Sequence, residues 1–271
     1  MYSFDYQRAT DTQSAVKTLA NAPDAKFLAG GQSLLAAMKL RLAQPSTLVD
    51  VTRIPALKAV QVDSKVVTVG AAVCHADVAA NAQIQATLPA LALLAAGIGD
   101  RQVRALGTLG GSLANDDPAA DYPAAVLGLN ATVVTDRRRI AADDFFLGMY
   151  ETALEPDELI VAVEFPVPQR AAYEKFNNPA SHFALTGVFI AQFADGSAGA
   201  PDVRVAITGA ASSVFRASGL EDALKASFTP AAARAVSITP DELNTDLHAS
   251  AAYRAHLIPI LAARAVTKAL G

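Results

Sequence analysis

The sequence predicts an α+β fold: a small α/β unit, a second α/β unit on a mixed sheet, and a C-terminal antiparallel sheet with a helix bundle. Three observations lead there. Near the start, strand, helix and strand patterns follow one another within about thirty residues, the mark of a βαβ crossover. In the middle, alternating apolar segments flank a long helical stretch. Beyond Pro166-Val167-Pro168, alternating strands precede three helical patterns. The length of 271 residues suits about two units at roughly 150 residues each. The boundaries expected are 1–168, subdivided into about 1–55 and 56–168, and 169–271.

Apolar spacing gives a helix over residues 9–21, with Ala15, Val16, Leu19 and Ala20 inward and Thr10 as its cap. Residues 26–29 read as a short buried strand that runs into Gly30-Gly31. A helix over 33–42 follows, with Leu34, Leu35, Met38 and Leu42 on one face, stopped by Pro45 before a strand over 47–51. Residues 66–70 alternate as a strand, and 75–84 and 89–98 are helical. A second glycine turn at 107–111 leads through Asn115-Asp116-Asp117-Pro118 to an alanine-rich helix ending near Leu129. Strands are expected over 131–135 and 159–165. In the last unit, strands over 183–193 and 203–208 are joined through an Asp195-Gly196-Ser197 turn. Helices are expected at 218–226, 230–236 and 248–270, the last kinked or interrupted by Pro259, which lacks an N–H.

Composition narrows the function. Apolar residues make up 52% and charged residues 18%, against about 25% charged in average globular chains. Disorder is excluded, and either a large interior or a partner-covered surface is implied. The net charge is −4, with no basic run longer than Arg137-Arg138-Arg139, which argues against nucleic acid. No apolar run reaches the roughly 18 residues of a membrane span, and no leader pattern opens the sequence, so a cytoplasmic protein is expected. One cysteine, Cys74, cannot build a disulfide framework, a Cys-ligated zinc site or an iron–sulfur cluster. Histidines 75, 182, 248 and 256 have no paired-ligand spacing, so no metal site is expected. No nucleophile–base constellation stands out, and Asp116-Asp117 and Asp143-Asp144 read as turn and cap residues.

Two glycine pairs carry the chemistry. Ala29-Gly30-Gly31-Gln32-Ser33 lies where a strand hands over to a helix. There, free backbone N–H groups and the helix dipole favour an anion, and glycine lets it approach closely. A tight turn with a Ser or Gln cap is the alternative. Thr108-Leu109-Gly110-Gly111-Ser112 repeats the arrangement, so the two turns could hold the two phosphates of a dinucleotide from opposite sides. Neither a G-x-G-x-x-G after a strand nor a G-x-x-x-x-G-K-[ST] loop is present.

The segment Phe27-Leu28-Ala29-Gly30-Gly31-Gln32-Ser33-Leu34-Leu35, with Met38-Lys39, resembles the first FAD-binding motif of the molybdenum-hydroxylase flavoprotein subunits. These are the carbon monoxide dehydrogenase medium subunit and xanthine dehydrogenase FAD-domain types. Gly107 to Asn115, followed by Asp117-Pro118-Ala119-Ala120-Asp121, resembles their second motif. Glu158-Leu159-Ile160, Glu164-Phe165-Pro166, Lys175 and the run Ala249 to Arg254 extend the similarity along the chain. Two departures stand out: Asn115 where many relatives have histidine, and Asn177-Asn178-Pro179 in place of a more basic stretch.

The resemblance implies a PCMH-type FAD-binding fold. It implies that Ala29, Gly30, Gly31, Gln32, Ser33 and Leu34 wrap the pyrophosphate, and that Thr108, Gly110, Gly111 and Ser112 hold it from the other side. Asn115 and Asp117 join that contact set, and Asp121 binds sugar or phosphate-proximal hydroxyls. Ile98, Ile160 and Lys175 lie at the flavin and ribityl end. Phe183 or His182 covers the ring where relatives carry tyrosine. The resemblance further implies an electron-transfer subunit that passes electrons from two [2Fe–2S] clusters on a small subunit to FAD and an external acceptor. Substrate would be hydroxylated at a molybdenum cofactor on a large subunit, in a dimer of heterotrimers. Non-covalent FAD is expected, because Cys74 and His75 stand before a helix and away from both glycine motifs. Two rivals are a self-sufficient flavin oxidase of the vanillyl-alcohol type and a flavin-free assembly subunit.

Overall fold

A computed structural model describes residues 1–22, 24–194 and 202–271; the expected Asp195-Gly196-Ser197 turn lies outside the described residues. The chain opens with β1 (Asp5–Arg8), α1 (Thr12–Ala20), β2 (Lys26–Leu28), α2 (Leu34–Lys39) and β3 (Thr47–Asp50). The strands form a parallel sheet in the order β1-β3-β2. The expected crossover is β2-α2-β3. β1 is an addition that alternation could not reveal, because all of its side chains are exposed.

Three local expectations change. Asp11, not Thr10, caps α1: its carboxylate accepts the Ser14 N–H at 2.7 Å and completes a capping box. β2 is only half-buried, since one face looks into a cleft. α2 ends at Lys39, well before Pro45, where Arg41 turns the chain in the left-handed region at φ 61°. Of its expected face only Met38 is buried; Leu42 is 79% exposed.

A single 3-10 turn, Pro55–Lys58, leads to β4 (Val60–Val62) and β5 (Val66–Gly70). Six helices follow: α3 (His75–Ala80), α4 (Ala82–Thr87), α5 (Pro89–Ala96), α6 (Arg101–Leu106), α7 (Leu109–Asn115) and α8 (Tyr122–Gly128). The helix expected over 75–84 is broken at Asn81, whose extended backbone and side-chain oxygen cap α4 through the Gln83 and Ile84 N–H groups. The expected glycine turn at 107–111 is instead a helix start, with Thr108 as the N-cap and both glycines in the first turn of α7.

β6 (Thr132–Thr135), β7 (Arg139–Ala141), α9 (Ala142–Phe145), the β8 (Phe146–Gly148) and β9 (Glu151–Thr152) pair, and β10 (Ile160–Pro166) complete the unit. Its sheet runs β4-β5-β10-β6-β7. Every pairing is antiparallel rather than mixed, because β10 returns between β5 and β6 and keeps those two strands apart.

The rest of the chain holds β11 (Arg170–Asn177), β12 (Ala184–Phe193), β13 (Asp202–Thr208) and β14 (Phe215–Arg216), an antiparallel sheet in that order. α10 (Ser218–Ala226), α11 (Pro230–Ala235) and α12 (Ala251–Leu270) follow it. α12 starts three residues later than expected, capped by Ser250, and Pro259 does not interrupt its 20 residues. The buried stripe Leu257, Ile258, Leu261 and Ala262 holds the helix together across the missing N–H.

β12 is buried on both faces. Val188 and Ile190 share a core with α10–α12. Phe189 and Ala191 join the large core that contains Val67, Leu91, Leu113 and Val163. A Cβ on Gly128 would stand 2.8 Å from the Phe189 ring, so α8 lies on this sheet at close range.

Candidate functional site

A cleft of about 550 Å³ opens between the parallel sheet and the helices that follow β5, a size ordinary for small-molecule sites at roughly 300–1,000 Å³. Ala29, Gly30, Gly31, Gln32, Ser33 and Leu34 line one side. Thr108, Gly110, Gly111, Ser112, Asn115, Asp117 and Asp121 line the other, with Ile98, Ile160 and Phe183 also on the wall. The structure thus gathers every expected contact residue except Lys175 around one space.

The two glycine motifs differ in what they offer. Along the first, the N–H groups of Gly31, Gln32, Ser33 and Leu34 have no protein acceptor among the described residues. The residues that carry this consecutive run of donors line the cleft, and Gly31 adopts φ +69°, a conformation that suits glycine. In the second motif the expected free donors are already used. Leu109 N–H bonds Val73, Gly110 N–H bonds Ala71, Gly111 N–H bonds the Thr108 hydroxyl, and Ser112 N–H bonds the Thr108 carbonyl. What remains there for a ligand is side-chain chemistry, the Ser112 hydroxyl and the Asn115 amide.

The glycines themselves bring protein to protein. A Cβ on Gly30 would lie 2.1 Å from the Leu106 carbonyl oxygen, and one on Gly110 would lie 2.5 Å from the Ala71 Cβ. Close approach of an anion, the role expected for both, is therefore not what these two positions require. Gly111 is different, because its missing Cβ would meet only the Thr108 hydroxyl oxygen at 2.9 Å and the Ala29 Cβ at 3.7 Å.

Asp121 is buried at the base of the cleft. Its Oδ1 accepts the Tyr173 hydroxyl at 2.7 Å and pairs with the Lys175 ammonium at 2.8 Å. Both donors share one oxygen, and no protein hydrogen bond falls on Oδ2 among the described residues. Burial pushes the carboxyl up from its ordinary value, opposed by Lys175 and then Tyr173. Lys175 is not on the cleft wall. Its ammonium also donates to the carbonyls of Gly97 at 2.8 Å and His182 at 2.9 Å, so it ties Asp121 to two loops. His182, at φ 62°, is not on the cleft wall, while Phe183 lines it.

Apolar residues that sequence reasoning passed over, including Ala71, Val103 and Leu154, complete the wall. Glu158 also lies there, but Arg138 grips both of its oxygens at 2.8 and 2.7 Å and holds its carboxyl at about 2. The main omission is His75. Cys74 bridges to Thr108, the His75 N–H bonds the Gly107 carbonyl, and the His75 ring lines the cleft. The placement of this pair away from both glycine motifs is therefore overturned. No local signal in the sequence marks it, because Cys74 and His75 meet Thr108 and Gly107 only through the tertiary fold.

The residues fit a dinucleotide: a run of free N–H donors, a buried carboxylate with one open oxygen, and an apolar end. Comparison with known proteins agrees. The family model described as FAD binding domain in molybdopterin dehydrogenase matches residues 2–168. The chain belongs to this family. It is 35% identical over 97% of its length to the nicotine 6-hydroxylase medium subunit of Paenarthrobacter nicotinovorans, 96% of which is covered. It is also 35% identical over 98% of its length to the carbon monoxide dehydrogenase medium chain of Hydrogenophaga pseudoflava, again covering 96% of that chain.

A solved carbon monoxide dehydrogenase from Hydrogenophaga pseudoflava superposes with a TM-score of 0.86 at 34% identity, covering 99% of this chain and 98% of the other. Quinoline 2-oxidoreductase from Pseudomonas putida 86 gives 0.87 at 29% identity over 99% and 97%. The protein is an FAD-binding medium subunit of the molybdenum-hydroxylase type, an oxidoreductase component with a PCMH-type fold. Among the described residues, no helix is long and apolar enough to cross a membrane.

Proposed function

We propose that this chain carries FAD in the cleft and passes electrons from [2Fe–2S] clusters on a small subunit to an external acceptor. A large molybdopterin subunit performs the hydroxylation, in a cytoplasmic dimer of heterotrimers. The observation that carries the reading is the convergence of both glycine motifs and Asp121 on one cleft with unspent backbone donors. When bound, FAD would supply redox chemistry that exchanges electrons one or two at a time, which joins one-electron clusters to an external acceptor.

The chain's residues bind and shield. Gly31 to Leu34 direct N–H groups at pyrophosphate oxygens, Ser112 and Asn115 add side-chain contacts, and the open Asp121 oxygen accepts a sugar hydroxyl. Ile98, Ile160 and Phe183 exclude water from the ring end. In this reading residues 1–168 are the FAD-binding part, which coincides with the span of the family match, and 169–271 supply Tyr173, Lys175 and Phe183.

The test is the purified full chain with and without its partner subunits. It should be yellow, accept electrons from dithionite, and hydroxylate no aldehyde, purine or N-heterocycle until the partners are added. Turnover by the chain alone would favour a self-sufficient oxidase, and a chain that takes up no flavin would favour an assembly subunit.

A further inference from the structure

Among the described residues, His75 is the one buried polar side chain on the cleft wall that makes no hydrogen bond within the fold. The residue is 4% exposed and forms the first turn of α3, and its ring lies 5.3 Å from that of the fully buried Tyr122. Nδ1 is sealed from solvent and has no partner. Nε2 is not sealed, has no protein partner, and stands at the second motif, 2.6 Å from where a Gly107 Cβ would lie. Glycine at 107 is thus what admits the imidazole to the cleft wall.

We propose that His75 is an additional FAD contact, its Nε2–H donating a hydrogen bond to an acceptor atom of the bound dinucleotide. The proposal rests on the FAD reading of the cleft. The proton belongs on Nε2, because a sealed N–H without an acceptor is costlier than a sealed lone pair. Burial, and then the Arg104 charge, lower the imidazole to about 4, so it is neutral at physiological pH. A neutral ring donates one hydrogen bond and adds no charge. In the flavin-free chain the Nε2–H meets water in the cleft, and the bound dinucleotide replaces that water as acceptor.

The test titrates FAD into the deflavinated full chain by fluorescence quenching, alongside the thermal stability of the flavin-free form. His75→Phe keeps the ring but removes the donor. His75→Gln sets an amide near Nε2, and His75→Asn sets one near Nδ1. The expected result is about tenfold weaker FAD binding for His75→Phe and His75→Asn. His75→Gln should come close to wild type, and flavin-free His75→Phe should be at least as stable as wild type.

Wild-type affinity in His75→Phe overturns the proposal, as does His75→Asn matching His75→Gln. A flavin-free stability that falls in step with affinity marks a structural role and also overturns it. Flavin that stays in the pellet after acid precipitation shows a covalent bond instead. A wild-type chain that takes up no FAD overturns the reading of the cleft itself, and this proposal with it.

Discussion

Asp116 breaks two local rules at once. It sits in the left-handed region at φ 41°, and its buried Oδ2 has no partner. Burial, and then the neighbouring Asp117, push its carboxyl up to about 7. The sign follows: the folded chain holds this proton more tightly than the unfolded chain does. The contribution of Asp116 to stability is therefore greatest at acid pH, falls as the pH climbs from the ordinary carboxyl value of 3.8 toward 7, and levels off above that. Asn keeps the shape, tolerates the left-handed region and has no charge to bury. Asp116→Asn should raise the melting temperature by a few degrees above pH 7 and flatten that slope, measured by thermal unfolding across pH. An unchanged slope would show that Asp116 is not the titrating group.

Tyr173→Phe tests the other buried acid. Losing the hydroxyl removes one of two donors to Asp121 Oδ1, so a carboxyl already raised by burial rises further. FAD binding should weaken about three- to tenfold, the size of one ordinary hydrogen bond, because the lost bond acts on FAD only through Asp121. The loss should deepen as the pH falls, and begin at a higher pH than in wild type. Dissociation constants measured against pH would check both.

The second glycine motif yields a prediction about α7 as an element. Ala at 110 would drive a methyl into Ala71, so Gly110→Ala should lower the stability of the flavin-free chain by about 1–3 kcal/mol, the range for overpacking. Ala at 111 meets only a rotatable hydroxyl on one side and the Ala29 methyl across the gap. Gly111→Ala should leave stability nearly intact and reduce FAD occupancy. Thermal unfolding and bound-flavin absorbance would separate the two; identical behaviour would count against the geometry.

The same motif shows what a sequence can and cannot reveal. Both glycine pairs were legible as a paired site, and all but one expected contact residue lines the cleft. Their mechanism was not legible, because whether an N–H is free depends on partners such as Val73 and Ala71, dozens of residues away. Likewise Asn81 reads as one polar residue in a helical pattern until its side chain caps α4. β1 has no buried face to impose a period, and α12 overrides the propensity of Pro259 through burial. The motif marks Lys175 as a contact at the flavin end, whereas the tertiary fold sets it behind Asp121 and off the cleft wall.

At the scale of the whole molecule, the sheet of β11–β14 holds the cleft in place. Gly209 N–H bonds the Pro118 carbonyl at 2.8 Å, and the Thr208 hydroxyl bonds those of Pro118 and Ala120 at 3.1 and 2.6 Å. Tyr173 and Lys175 fix Asp121 from the same side. The large core runs through Phe189, Ala191 and Ala206. A fragment ending at Pro168 covers the family match yet loses these partners. It should aggregate or fail to retain FAD, assayed by size-exclusion chromatography and flavin content. A soluble yellow fragment would show that the first 168 residues are self-sufficient.

Arg254 gives this clamp an order in time. Its buried guanidinium donates to the carbonyls of Leu185 and Gly209 and pairs with Asp246, which fastens α12 to the strand ends that grip the Asp117–Asp121 segment. Both glycine motifs precede Tyr173, Lys175 and Arg254 in the chain, so on the ribosome they are made first, at roughly 5–20 residues per second. The nascent chain therefore passes through a stage in which its dinucleotide-facing loops are complete but Asp121 has neither donor. A chain halted before residue 173 thus presents both glycine loops without either donor to Asp121, and Arg254, translated last of these residues, closes the clamp.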